Sequence, residues 1–199
     1  VSAHTRLFTI VVTIGIFIDQ VTKYMARDAM KLRERIEVIP GFFNLTHQEN
    51  PGAAWGILGD HEYRLVFFTV VTLVAFTVII GYFRKLKDDE HILAWGLSLI
   101  FAGAAGNFID HMSPRHTVTD FLDFYASGAA APLVRKVLGS AHWPAFNAAD
   151  AYISVGVTLF IIHILFIEGR SQAEPEPAGE PAATEDTGAD SDKAPTTSP

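Results

Sequence analysis

Five short polar patterns interrupt an otherwise apolar chain: Asp19-Gln20-x-x-Lys23, Asn50-Pro51-Gly52, Gly106-Asn107-x-x-Asp110-His111, Val118-Thr119-Asp120-Phe121 and Asn147-Ala148-Ala149-Asp150. Asp120 sits among the apolar residues Val118, Phe121 and Leu122 in a short segment with no helical face to solvate it. Asp150 opens the last apolar run, where a helix N-terminus favours a carboxylate. Two carboxylates arriving from separate segments suit water activation, one ionised as base and one protonated as acid, because both cannot ionise cheaply at close range. Asp150 also has a structural reading, since Asn147 as N-cap with an acid three residues later makes a capping box.

The other patterns carry the same ambiguity between support and chemistry. Asp19 and Lys23 are four apart on one helix face and can pair, either to fix helix depth at an interface or to serve a site directly. Asn107 and Asp110 share a face and can reach a common neighbour as an inter-helix contact or as site groups. Asn50-Pro51-Gly52 is a turn signal, and Gly52 permits close backbone approach; Trp55 beyond it suits an interfacial anchor. His111, His116, Asp110 and Asp120 lack any spacing specific for a metal, so no metal site is expected.

These patterns must be positioned by the apolar runs around them. Leu7–Ile18 is uncharged and continues to about Ala26; Leu65–Phe83, Ile92–Ile109 and Ala151–Ile167 follow. A helix rising ~1.5 Å per residue needs roughly 17–25 such residues to cross a bilayer, so each run predicts a span. Buried helices of a soluble protein would carry a polar stripe, which these lack. The first run has no small-residue cleavage site at its end, and an uncleaved first helix is expected. Small residues Gly96, Gly103 and Gly106 in the third run predict close helix packing.

Four spans place both termini on one side, and the five patterns fall on the other, at the mouths of the helices and in loops 27–64 and 112–149. The stretch Ile36–His47 alternates and predicts a short hairpin around Pro40-Gly41. The expected fold is therefore an all-α membrane protein with four transmembrane helices, at about 7–26, 65–83, 92–109 and 151–167, and a small β-like extramembrane element in loop 27–64. The basic residues divide five on the terminal side against nine on the loop side, which taken alone would place the loops in the cytoplasm. A small proton-coupled transporter or a membrane scaffold also fits four such helices, although transport predicts polar groups at mid-membrane, where only His163 lies.

Composition narrows the partners. The 199 residues carry 22 acids against 15 Lys and Arg, but residues 171–199 hold seven of the acids and five of the ten prolines. That tail reads as disordered, leaving residues 1–170 as one nearly neutral membrane domain. No basic excess remains to neutralise nucleic acid. The absence of cysteine excludes a disulfide framework, a thiolate metal site and a cysteine nucleophile.

In this order around four spans, the five patterns resemble those of the lipoprotein signal peptidases (signal peptidase II), membrane aspartic peptidases of bacteria. The resemblance covers about residues 7–167 and implies cleavage of prolipoproteins just before a diacylglyceryl-modified cysteine, with no cofactor. It places the catalytic aspartates at Asp120 and Asp150, and supporting or substrate-binding residues at Asp19, Lys23, Asn50, Gly52, Asn107, Asp110, His111 and Asn147. It implies an inner-membrane enzyme with cytoplasmic termini and a periplasmic active site, reversing the orientation suggested by charge. Lipid-modified substrates and membrane lipid are the expected partners, and a monomer is expected. Asp123 is a competitor to Asp120, which better fits the Val-x-Asp-Phe pattern. Two departures stand out: His111 occupies a position where the family has Arg, with Arg115 as a candidate substitute, and residues 122–142 form a long connection, expected to be a mobile or interfacial flap.

Overall fold

In a computed structural model of the chain, the structure describes residues 2–52 and 63–168. Trp55, beyond the Asn50-Pro51-Gly52 pattern, and the acidic tail lie outside the described residues. Four helices are long and apolar enough to cross a membrane: α1 (Ala3–Ala29), α2 (Arg64–Phe83), α3 (His91–Met112) and α5, which runs from Ala148 to Ile162 and continues as a π-helical turn over His163–Glu168. Each contains one of the expected runs and extends past it at one or both ends. The reason at α5 is Asn147, whose side chain caps the helix four residues before the uncharged run begins at Ala151.

The bundle is built around α3, half of whose apolar window is buried, against 6% for α2. Outward-facing Val66, Val70, Val74 and Val78 of α2 remain exposed, as a lipid-facing helix requires. Small residues bring α3 and α5 together: a Cβ on Gly96 would lie 3.0 Å from the Gly156 carbonyl, and one on Gly103 would run into the Ala149 carbonyl. At the end of the bundle away from the five patterns, His4 and His91 share a hydrogen bond of 3.1 Å, and His163 comes within 3.6 Å of Glu90. His163 is thus a contact between helix ends rather than a mid-membrane group.

The extramembrane part differs from expectation in one respect. The hairpin is present as β1 (Arg35–Ile39) and β2 (Phe43–Asn50), but a third strand, β3 (Val118–Phe124), joins it from the second loop. The sheet is antiparallel in the order β1-β2-β3, with Gln48 opposite Asp120 and Asn44 opposite Asp123. One extra residue on β2 between Leu45 and Gln48 forms a bulge. Phe121 packs against Ala26 and Met30, clamping the sheet to the end of α1. The connection 122–142 begins as β3 and is closed at its base, where the Ala126 N–H donates to the Ala141 carbonyl at 2.9 Å. Beyond that base it carries a short 3-10 turn (Gly128–Ala130) and a helix, α4 (Ala131–Leu138).

Candidate active site

Strand alternation decides which acid of the β3 segment faces the site. Asp120 and Asp123 are an odd number of residues apart and so point to opposite faces. Asp123 is buried among Asn44 (3.0 Å), His142 (2.8 Å) and Arg35 (3.3 Å), a pinning group for the sheet and the base of the 122–142 connection. Asp120 faces the start of α5. Its two carboxylate oxygens accept from Asn147 Nδ2 at 2.8 Å and from Asn50 Nδ2 at 3.0 Å.

Both amides are held in one orientation by backbone donors. Asn50 Oδ1 accepts from the Gly52 N–H at 2.9 Å, and Asn147 Oδ1 accepts from the Asp150 N–H at 3.1 Å, so each Nδ2 is left for Asp120. Gly52 has φ +83 and lies against His111 and Phe68, leaving no room for a side chain.

Asp150 occupies the first turn of α5 and completes the capping box, its Oδ2 accepting from the Asn147 N–H at 3.1 Å. Its other oxygen accepts from Asn107 Nδ2 at 2.9 Å. Asn107 is oriented in turn by Lys23, whose Nζ donates to Asn107 Oδ1 at 2.8 Å. The capping role and a place in the site are therefore held by one residue.

Behind the two aspartates lies a buried ionic group. Lys23 Nζ meets Asp19 (2.9 Å), Asp110 (3.1 Å) and Asn107, three acceptors for its three hydrogens. Asp19 also accepts from the Ala149 N–H at 3.0 Å, tying α1 to the start of α5. Asp110 accepts from the Thr119 N–H at 3.2 Å, tying α3 to β3. Gln20 adds a bond to the Gly106 carbonyl, and a Cβ on Gly106 would lie 3.0 Å from Asp19 Cγ. Asp19, Lys23, Asn107 and Asp110 thus position the strand that carries Asp120 and the helix that carries Asp150.

Two groups, Arg27 and Glu49, escaped the sequence reading. Arg27, one helical turn beyond Lys23, donates to Thr119 at 3.0 Å and lies 3.9 Å from Asp110. Its spacing from Asp19 and Lys23 was the available signal. Glu49 bonds Thr117 and lies 3.1 Å from His47. Arg115 is 4.0 Å from Glu49 and so is engaged there rather than replacing an arginine at 111. His111 is buried and stacks face to face on Phe68, with centroids 5.1 Å apart, which joins α2 to α3.

Burial is the main influence on Asp120, pushing its carboxyl up to about 7; the Asp150 charge pushes the same way, while the Asn50 and Asn147 bonds oppose it. A protonated Asp120 beside Asp150 is therefore accessible at neutral pH. An open hollow of about 410 Å³, lined by Trp143, Phe146, Asp150, Ala151, Ser154 and Val155, gives access to Asp150 along α5. Among the described residues, no three His, Asp or Glu side chains are grouped to hold a metal ion.

The family described as Signal peptidase (SPase) II matches residues 11–166, all four helices and the sheet. The chain belongs to the signal peptidase II family. The lipoprotein signal peptidase of Geobacter metallireducens is 41% identical over 169 residues, covering 85% of this chain and 96% of the relative. That of Listeria monocytogenes is 37% identical, covering 78% and 90%. A bacterial membrane enzyme solved by the in meso method at 2.3 Å superposes with a TM-score of 0.70 at 32% identity, covering 86% of this chain and 94% of that one. A second, solved at 1.9 Å, gives 0.67 at 34% identity, covering 81% and 94%. Signal peptidase II enzymes are aspartic peptidases that remove signal peptides from prolipoproteins, and the membrane helices expected for that family are present.

Proposed function

We propose that the chain is a membrane aspartic endopeptidase that cuts diacylglyceryl-modified prolipoproteins immediately before the lipidated cysteine, with Asp120 and Asp150 as the catalytic pair. The observation that carries this is Asn147, which bonds both carboxylates and so holds them as one unit at the end of a membrane helix. Asp150, whose oxygens accept from a backbone N–H and from the Asn107 amide, acts as base. Asp120, buried and raised to about 7, acts as acid.

In the reaction, Asp150 takes a proton from water as the oxygen attacks the scissile carbonyl. Asp120 hydrogen-bonds the developing oxyanion and gives its proton to the leaving amine as the C–N bond breaks. The pair ends with one proton, now on Asp150, and transfer to Asp120 restores the starting state. General acid–base help of this kind contributes roughly 10²–10⁴-fold, with positioning supplying much of the remainder.

Lipid-modified precursor and surrounding membrane lipid are the partners, and the enzyme acts as a monomer in the bacterial inner membrane. Its termini are cytoplasmic and the sheet, with both aspartates, periplasmic. Family topology, carried by an ordered set of five patterns, outweighs the five-to-nine charge count here. The hollow beside Asp150 lets acyl chains remain in lipid while the peptide reaches the pair. The test is purified, reconstituted protein with a precursor supplied in modified and unmodified forms. Release of the signal peptide from the modified form alone is expected; equal cleavage of both, or none, would overturn the proposal.

A further inference from the structure

The connection between β3 and α5 reaches well beyond what joining them requires, and α4 lies at its far end. Pro132 at the start of that helix and Gly139 just past its end, at φ +76, set its limits. Its helical spacing puts Leu133 and Val137 on one face, with Lys136 at the edge of that face and Arg135 on the far side. Val134, between them and the body, lines a hollow of about 460 Å³ with Phe42, Phe124 and Trp143. Leu133 and Val137 are 67% and 72% exposed, among the most open apolar residues outside the spans. Arg135 and Lys136 are also exposed, and neither makes an ion pair among the described residues.

The position of α4 relative to the bilayer is given by Trp143. It lines both the hollow beneath α4 and the one running along α5 to Val155, a half-exposed residue of the membrane span. Val134 of α4 thus borders one hollow with Trp143, and the same Trp143 borders the half-exposed surface of α5, while Leu133 and Val137 lie open on α4. An apolar face with a lysine at its edge and a second cation on the same short helix has the chemistry of a helix lying in the interface.

We propose that α4 is a docking surface for anionic phospholipid. Leu133 and Val137 enter the boundary between headgroups and acyl chains, and Lys136, at the edge of that face, meets lipid phosphates. This holds the 122–142 connection down on the bilayer beside the opening to Asp150. The proposal stands on α4 and Trp143 alone and does not require that Asp120 and Asp150 be catalytic.

The chain has no cysteine, so V137C provides a single attachment point for an environment-sensitive fluorophore on the full-length protein. In vesicles, blue-shifted emission and quenching by nitroxides carried near the lipid headgroups are expected. The quenching should be roughly twofold greater or more in phosphatidylglycerol-containing vesicles than in phosphatidylcholine alone, and the R135E/K136E background should remove that difference. Water-like emission quenched by aqueous iodide, with no effect of lipid nitroxides, would overturn the proposal. So would energy transfer between labels on different copies that replaces lipid quenching, because α4 would then be covered by a second copy of the chain. Signal-peptide release, measured separately, reports on the aspartates and does not enter this outcome.

Discussion

Asn147 donates its side-chain amide to Asp120 at 2.8 Å and its backbone N–H to Asp150 at 3.1 Å, so a single residue fixes the relative placement of two carboxylates that reach the site on different elements. Its Oδ1 is at the same time the N-cap acceptor of α5. Local helix capping and site geometry are therefore one feature here. Replacing Asn147 with Ala removes the cap, worth about 0.5–2 kcal/mol, and one donor to Asp120. Thermal unfolding should show that modest loss, while kcat should fall by about 10²-fold, as expected when reacting groups are misplaced by an ångström.

The pH dependence follows from Asp120. Its carboxyl is raised to about 7, and in the proposed mechanism it must be protonated, so kcat/KM should decline as pH rises through about 7. The Asn50 bond favours the ionised form. Asn50→Ala should therefore move the alkaline limb upward, as well as lowering the rate. A limb that moves downward in this variant would show that the limb belongs to a different group.

Lys23 and Gly106 test the ionic support. Lys23→Met leaves Asp19 and Asp110 buried without their ammonium partner, a loss of about 3–5 kcal/mol. Gly106→Ala forces a methyl group against the Asp19 carboxylate, with an overpacking penalty of about 1–3 kcal/mol. Both should lower the unfolding temperature in detergent, Lys23→Met more severely.

Truncation after Arg170 should leave peptidase activity unchanged. Asp150 lies in the first turn of α5, and the chain leaves the other end of that helix near Glu168, more than about 20 Å away at 1.5 Å per residue. Comparing signal-peptide release by full-length and truncated protein at equal concentration checks this.

The helices were legible because uncharged runs such as Leu65–Phe83 have no alternative at that length, and the Asp19–Lys23 pair because one-turn spacing is visible in sequence. Arg27 continues that row, yet its charge reads equally well as part of the flanking basic residues. The strand Val118–Phe124 was not legible: polar Thr119, Asp120 and Asp123 are buried on both of its faces, which removes the alternation that marks a half-exposed strand. Its partner, β2, is about 70 residues away. The preference for Asp120 over Asp123 came from a pattern, whereas its physical basis, their opposite faces and separate partners, needed the sheet. The stacking of His111 on Phe68 depends on the approach of α2 to α3, which spacing does not encode.

The central claim is that Asp120 and Asp150 act together on the scissile bond. The direct measurement is the rate of signal-peptide release from a diacylglyceryl-modified precursor by reconstituted wild type, Asp120→Asn and Asp150→Asn, each first shown to be folded by its cooperative unfolding transition. The account predicts a fall of about 10²–10⁴-fold or more in each folded variant, because general acid–base catalysis of that size is lost when either partner is removed. Wild-type rates in either folded variant would contradict it.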